Sequence, residues 1–390
     1  MNTQQKKQTD SPDISIILPC LNEKSALEIC LREIKNVIET QGLSAEIILV
    51  DNNSDDGSLE IAKKIAENIK ELRVVSEPRQ GYGSAYMKGL QEARGNYFFM
   101  ADIDHSYDFK DIPRFIAALK NSADLVVGNR FTGSIENGAM PLHHRYVGNP
   151  FLSFVVKKLF NIKINDIHCG VRAMSREAFE KITLHTTGME FASEMVIKVA
   201  KQKLAIAEIP VSYRVRIGKS KLQSVGDGWR HLRFILLYSP VYLFLIPGAF
   251  LTCLGLGSLL VFYFGKISLF NLQFYIHPMF LSSVLIMLGY QIMLFAGFSK
   301  IYAIAHLGET DLFMESLFKK ITIEKAGFVG LAAACLGILM YLYIFIRWIH
   351  SGFGSLDEIK NSIVALTFVV IGVQTFFSAF MLSTLGIKEK

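Results

Sequence analysis

Cysteine is scarce in this chain: Cys20, Cys30, Cys169, Cys253 and Cys335 are five among 390 residues. They show no paired spacing, and two of them fall inside long apolar runs. A disulfide framework and a cysteine zinc site are therefore excluded, and a reducing compartment is expected. The leading residues Asn2–Ser11 are polar and lack an apolar h-region, so no signal peptide is expected. A large excess of charge of one sign is also missing. The net charge is +6, and no nucleic-acid recognition motif accompanies it. Nucleic acid is thus not an expected partner, and the surplus is assigned to attraction for anionic lipid.

What the chain has in quantity is apolar surface, 51% of its residues, and that surface is unevenly distributed. Residues 1–235 carry most of the charge, whereas 236–387 consist mainly of long apolar runs. Four of these runs, Ser239–Phe264, Phe274–Phe298, Ala326–Ile346 and Ile363–Leu385, are long enough to cross a bilayer. Each contains Gly, Ser or Thr among large side chains, as spanning helices that pack together require. Arg214, Arg216, Lys219, Lys221, Arg230 and Arg233 precede the first run, and Lys300, Lys319, Lys320 and Lys325 flank the second loop. The loops around Lys266 and Asp357–Lys360 are poorer in base, so the charge bias predicts both termini and the charged half on the cytoplasmic side. The domain plan expected from this pattern is a polar tail (1–12), a globular domain (13–222), an amphipathic helix at the membrane (223–238) and a four-helix membrane domain (239–387).

In the charged half, short β-branched or aromatic runs alternate with helical spacing. Ile14–Leu18, Ile47–Val50, Val74–Ser76, Tyr97–Ala101 and Leu125–Gly128 are expected strands, with helices at Ala26–Thr40, Ser58–Lys70, Ser84–Ala93 and Ile112–Leu119. Such alternation predicts an α/β fold: a mostly parallel sheet, Rossmann-like, with helices on both faces. Ligands of such sheets bind beyond the strands' carboxyl ends. Those ends are polar here: Pro19-Cys20-Leu21-Asn22-Glu23, Asp51-Asn52-Asn53-Ser54-Asp55-Asp56-Gly57, Gln80-Gly81-Tyr82-Gly83-Ser84, Asp102-Ile103-Asp104 and Gly128-Asn129-Arg130. One such loop would be ordinary turn chemistry. Five on one sheet edge predict a binding site. Asp102 and Asp104, two residues apart after a buried strand, can offer oxygens to one hard divalent cation, Mg²⁺ or Mn²⁺, of the kind usually shared with substrate phosphates.

Residues 14–222 resemble family 2 glycosyltransferases of the GT-A fold, close to the dolichyl- and polyprenyl-phosphate sugar synthases. The resemblance is carried by Pro19, Asn22 and Glu23, by Val50–Gly57, by Asp102/Asp104, by Gly128-Asn129-Arg130 and by Ser220-Lys221-Leu222, in that order. It implies an inverting, metal-dependent enzyme that moves a hexose-type sugar from a nucleoside-diphosphate sugar to undecaprenyl or dolichyl phosphate. It also implies roles for individual residues. Pro19, Asn22, Glu23, Asp51 and Asp56 belong to the nucleotide side, and Gly81 and Gly83 let the backbone approach the donor. Asp102 and Asp104 hold the metal, with Asp102 also near the sugar and ribose. Arg130 and Arg145 match the positions that grip the acceptor phosphate. Two departures stand out. Leu21 replaces a common Tyr near the base, leaving UDP or GDP open, and Ser106 stands where several synthases place a further metal ligand, Gln.

Glu190 and Glu194 are spaced to share one helix face, as sugar-orienting groups or as a simple surface pair. Phe151–Phe160 and Trp229–Tyr238 are amphipathic and basic, suited to the membrane interface. A polymerising synthase is disfavoured because Gln223 and Trp229-Arg230 do not make a Gln-x-x-Arg-Trp motif. A non-catalytic sugar-nucleotide sensor or flippase is disfavoured because Asp51, Asp102 and Asp104 are all retained. The oligomeric state is left open, a homo-oligomer included.

Overall fold

The computed structural model describes residues 11–386 apart from 219–223, 266, 270–271, 275 and 307–321. The motif Ser220-Lys221-Leu222 and the loop bases Lys219, Lys266, Lys319 and Lys320 lie outside the described residues. The chain divides into two compact units, Met1–Ile235 and Leu236–Lys390.

The first unit is built on a seven-stranded sheet of order β3-β2-β1-β4-β6-β5-β7. Its strands are β1 (Ile14–Cys20), β2 (Ala45–Asp51), β3 (Leu72–Ser76), β4 (Tyr97–Met100), β5 (Leu125–Ile135), β6 (Arg172–Ser175) and β7 (Ile206–Tyr213). The pairs β1/β2, β1/β4, β2/β3 and β5/β7 are parallel. Strand β6 runs antiparallel to both β4 and β5. In β1, successive side chains Ile14 to Leu18 are all buried, so both sheet faces are covered and the run reads as continuously apolar. The connecting helices are α1 (Lys24–Gln41), α2 (Ser58–Ala66), α3 (Tyr82–Glu92) and α4 (Ile112–Lys120). Helix α1 buries Ala26, Leu27, Cys30, Leu31, Ile34, Val37 and Ile38, a single stripe at helical spacing, and stops at Gly42, which takes the left-handed φ of 60°.

Three features differ from the sequence expectation. Strand β5 continues past Gly128 to Ile135, with a break in its pairing to β7 between Asn129 and Ser134. Asn129 causes the break: its Oδ1 accepts the N–H groups of Phe131 and Thr132, folding the chain locally before pairing resumes. Strand β6 is four residues long, too short for periodicity to register. Strand β7 carries Pro210 and lies at the sheet edge, where a missing N–H is tolerated. After β5 come α5 (Asn149–Phe160), then α6 (Arg176–Glu180), α7 (Phe191–Lys201) and α8 (Ser224–Leu237).

The antiparallel β6 matters for function. Its first residue, Arg172, pairs beside Met100 of β4 and Val127 of β5. The loop Asp166–Val171 is thereby carried to the edge where β1, β2, β4 and β5 end.

The second unit contains α9 (Ile246–Phe264), α10 (His277–His306), α11 (Ile323–His350) and α12 (Ile359–Leu385). Helices long and apolar enough to span a membrane run Val241–Phe264, His277–Ala305, Glu324–His350 and Ile359–Leu385. Small residues let them approach: a Cβ on Gly289 of α10 would lie 2.5 Å from Thr252 Oγ1 of α9. Hydrogen bonds Ser283–Thr367 (2.7 Å), Tyr290–Thr375 (2.6 Å) and Gln374–Gln291 (3.0 Å) tie α12 to α10.

Candidate active site

A cleft of about 260 Å³ opens at the carboxyl edge of the sheet. Of the residues singled out from sequence, Pro19, Glu23, Gly81, Asp102, Asp104 and Arg130 line it. Asn52, Tyr82, Tyr107, His168, Tyr213, Arg216 and His231 join them.

Part of the lining is acidic. Asp102 and Asp104 leave β4 together. Asp104 is buried, and its Oδ1 accepts the Ser106 N–H. Burial, reinforced by the neighbouring Asp104, pushes the Asp102 carboxyl up to about 7, against the opposing hydrogen bond from Tyr82. Gly170 passes so close that a Cβ there would sit 2.3 Å from Asp102 Oδ2. Arg216 Nη2 lies 2.9 Å from Glu23 Oε1 and 3.4 Å from Asp104 Oδ2, bridging the loops after β1 and β4. Its buried Nε has no partner.

Basic side chains share that lining. Arg130 is buried and presents Nε and Nη2 to Asp166 at 2.7 and 2.8 Å, a bidentate pair, while its guanidinium carbon sits 5.2 Å from the Tyr213 ring centre. Tyr107 accepts the Gly170 N–H and packs on Tyr213. Arg172 is buried and donates to three carbonyls, Ile167, Cys169 and Ala192. That clamp fixes the Asp166–Val171 loop. Burial first, then His231, Arg172, Arg130 and His144, hold His168 well below the usual imidazole range.

Residues 15–183 match the family model "Glycosyl transferase family 2", and 297–386 match "Glycosyltransferase family 2 C-terminal transmembrane region". The chain is 35% identical over 378 residues to the low-salt glycan biosynthesis hexosyltransferase Agl6 of Haloferax volcanii, covering 96% of this chain and 90% of that protein. The chain belongs to glycosyltransferase family 2. It is an enzyme and, with its four apolar helices and the matching transmembrane region, a membrane protein. This glycosyltransferase is also 30% identical over 217 residues to a dolichyl-phosphate hexose transferase of Haloferax volcanii, covering 55% of this chain and 89% of that one. Among solved structures, glucosyl-3-phosphoglycerate synthase of Mycobacterium tuberculosis is similar with a TM-score of 0.47 at 22% identity, covering 58% of this chain and 80% of that chain.

Five sequence-selected residues of the glycosyltransferase stand outside the cleft lining. Asn22 and Asp56 stitch loops together: Asn22 Oδ1 accepts Asp55 N–H, while Asp56 accepts the N–H groups of Ser58 and Lys24. Burial works to raise the Asp56 carboxyl, but those hydrogen bonds prevail and hold it below its usual range. Asp51 is buried at the end of β2; Oδ2 accepts Ser54 N–H and Oδ1 has no partner. The close approach at Gly83 is to backbone rather than ligand, since a Cβ would meet Thr186 O at 2.2 Å. Gly81 lines the cleft yet is also pressed on Thr187 O, at 2.3 Å from a built Cβ.

Arg145 is half-buried on the turn His144–Gly148, 5.5 Å from the Tyr146 ring centre, among exposed Leu142, Tyr146, Val147, Phe151 and Phe154. The long β5 excursion carries it out of the lining. Glu194 is fully buried and accepts the N–H groups of His185 and Thr186, the Thr186 hydroxyl and Lys198 Nζ, so it anchors the 183–187 loop. Tyr82, Tyr107, Tyr213, Arg216 and His231 were not selected as site residues from sequence. Tyr82 lay within the polar exit Gln80–Ser84, His231 within the amphipathic segment Trp229–Tyr238, and Arg216 four residues before Ser220-Lys221-Leu222; Tyr107 and Tyr213 carried no signal.

Proposed function

We propose that the enzyme moves a hexose from a nucleoside-diphosphate sugar to a polyprenyl phosphate, undecaprenyl or dolichyl, with inversion at the anomeric carbon, in cell-envelope glycan or glycoconjugate synthesis. The observation that carries this reading is the mixed charge of the cleft lining. Asp102, Asp104 and Glu23 line it together with Arg130, Arg216 and His168. A donor diphosphate and an anionic acceptor can therefore both find charged partners in one cleft. The hexosyltransferase and the dolichyl-phosphate hexose transferase similar to this chain support the same class of reaction.

The residues fit a divalent cation. Two carboxylates, one raised to about 7 by burial and by the other, form an arrangement that a cation relieves. Among the described residues no group of three or more His, Cys, Asp or Glu could hold a metal, so Asp102 and Asp104 leave the remaining positions to substrate phosphates. Mg²⁺ or Mn²⁺, when bound, supplies Lewis-acid neutralisation of the leaving diphosphate.

The chain's own groups do the positioning. Pro19 and Glu23, both in the cleft lining, take the nucleotide side. Arg216, held by Glu23 and Asp104, is placed to turn toward diphosphate oxygens as they arrive. Arg130, braced by Asp166, keeps a positive charge for the acceptor. An acceptor phosphate with a second pKa of about 6 is largely dianionic at neutral pH. Its oxygen is already nucleophilic, so positioning and charge neutralisation supply the catalysis and no strong base is required. Arg145, with the exposed apolar side chains around it, belongs at the lipid surface, drawing phosphate headgroups toward the cleft. The catalytic unit and both termini face the cytoplasm on this reading.

The test incubates the membrane-embedded protein, Mg²⁺ or Mn²⁺ and a panel of labelled UDP- and GDP-sugars with undecaprenyl or dolichyl phosphate. Label extractable into organic solvent is expected. Label in an insoluble polymer would point to a polymerising synthase, and nucleotide binding without transfer to a sensor.

A further inference from the structure

In the cleft wall, two imidazoles from distant parts of the chain meet through one hydroxyl. His168 stands in the loop carried in by β6, and His231 on α8. Ser193 Oγ, on α7, lies 3.2 Å from His168 Nε2 and 3.0 Å from His231 Nδ1. The rings meet edge to face with centres 4.4 Å apart. Both histidines line the cleft. Ser193 is fully buried.

The hydroxyl has a single proton, so the chain is ordered. If Ser193 donates to His231, His168 Nε2–H must donate to Ser193, and His168 Nδ1 is a bare acceptor. If Ser193 donates to His168, then His168 Nδ1 carries the N–H. In either case Nδ1 is a buried ring nitrogen with no partner in the protein. A buried polar atom of this kind on a cleft wall calls for a ligand.

The charges facing it specify which ligand. Arg130 from β5, Arg172 from β6, His231 from α8 and His144 from the turn before α5 all bear on His168, and each is cationic or can become so. Arg130 is neutralised by Asp166, but the three partners of Arg172 are carbonyls, and no described ion pair includes it. Among the described residues no ion pair neutralises its buried positive charge. An imidazole is held neutral in such surroundings, and an arriving dianion reverses the balance.

We propose that His168, Ser193 and His231 form a phosphate-monoester subsite that takes up a proton as the phosphate binds. It rests on the acceptor reading above, and it assigns the acceptor's phosphate to this imidazole pair rather than to Arg145. The uptake balances in the order in which Ser193 donates to His231: the phosphate enters as the dianion, one proton moves from solvent to the bare Nδ1 of His168, and Nδ1–H then donates to a phosphate oxygen. No covalent bond changes at this step. Ser193 positions the pair by fixing the Nε2 side of His168.

The test is calorimetric, on the full-length protein in detergent at neutral pH. It uses farnesyl phosphate, farnesol, inorganic phosphate and UDP as probes, in buffers of different ionisation heats. Farnesyl phosphate is expected to bind with uptake of about one proton and farnesol with none. Inorganic phosphate competing with farnesyl phosphate identifies the phosphate alone as what is read; failure to compete assigns the site to the lipid-linked form. In His168→Gln and His231→Gln, affinity for farnesyl phosphate falls at least roughly tenfold and proton uptake disappears, while UDP binding and melting temperature stay at wild-type values. Ser193→Ala retains both rings and serves if a histidine variant does not fold; it is expected to lose proton uptake. Unchanged farnesyl phosphate affinity and proton uptake in folded variants overturn the proposal, as does equal proton uptake on binding UDP alone. If the subsite behaves as stated but no sugar reaches a polyprenyl phosphate, the acceptor reading fails and the phosphate subsite stands.

Discussion

Replacing Glu194 by Ala should unfold the wall of the cleft without touching its lining. Glu194 is fully buried, and its carboxylate serves His185 N–H, Thr186 N–H, the Thr186 hydroxyl and Lys198 Nζ at 2.9 Å. Truncation leaves two backbone donors without acceptors and the Lys198 ammonium, itself nearly buried, without its counter-charge. Breaking a buried pair from one side costs about 3–5 kcal/mol. For a unit of this size each kcal/mol moves the melting temperature by about 2–4 °C, so a fall of roughly 6–20 °C is expected. Differential scanning fluorimetry of the purified protein measures it. Glu28→Ala is the control, because its ion pair with Arg32 is solvent-exposed and should move the transition by no more than about 2 °C. The loop that Glu194 holds carries the Thr186 and Thr187 carbonyls pressed on Gly83 and Gly81, so donor affinity should fall with stability. A Glu194→Ala protein that melts within about 2 °C of wild type but transfers sugar poorly would refute the anchoring role and return Glu194 to the sugar.

Other consequences follow from the same geometry. Gly83→Ala drives a Cβ to 2.2 Å from Thr186 O; the backbone must shift, at a cost of about 1–3 kcal/mol, read as a lower melting temperature and reduced nucleotide binding. Asp104→Ala removes half of the acidic pair and should abolish transfer, as should chelation of divalent cations, with Mg²⁺ or Mn²⁺ restoring activity to the wild type alone. Arg145→Ala should raise the KM for polyprenyl phosphate a few-fold and leave nucleotide binding unchanged, since Arg145 lies outside the cleft lining.

The sheet was readable in the sequence where strands are long, buried on both faces and parallel. Ile14–Leu18 and Ile47–Val50 are of this kind, and their polar exits correctly marked the edge where the cleft opens. Strand β6 escaped because four residues carry no period, and β7 because Pro210 argues against a strand except at an edge. The acidic pair was legible because Asp102 and Asp104 are neighbours in sequence, and Arg130 because it closes Gly128-Asn129-Arg130. Their partners were not, because they are brought in by contacts of long range. Arg130 meets Asp166 across 36 residues, and Ser193 meets His231 across 38. Arg216 reaches Glu23 across 193. No local pattern announces such pairs. They depend on the antiparallel insertion of β6 between β4 and β5.

The most direct measurement is the mass of the lipid product formed by purified protein from a nucleotide sugar and undecaprenyl phosphate. Addition of a single hexosyl unit, lost together with nucleotide-sugar consumption in Asp104→Ala, is the expected result. A ladder of added units, or sugar release to water with the lipid unchanged, would contradict a cleft built to pass one sugar from a diphosphate to a lipid phosphate.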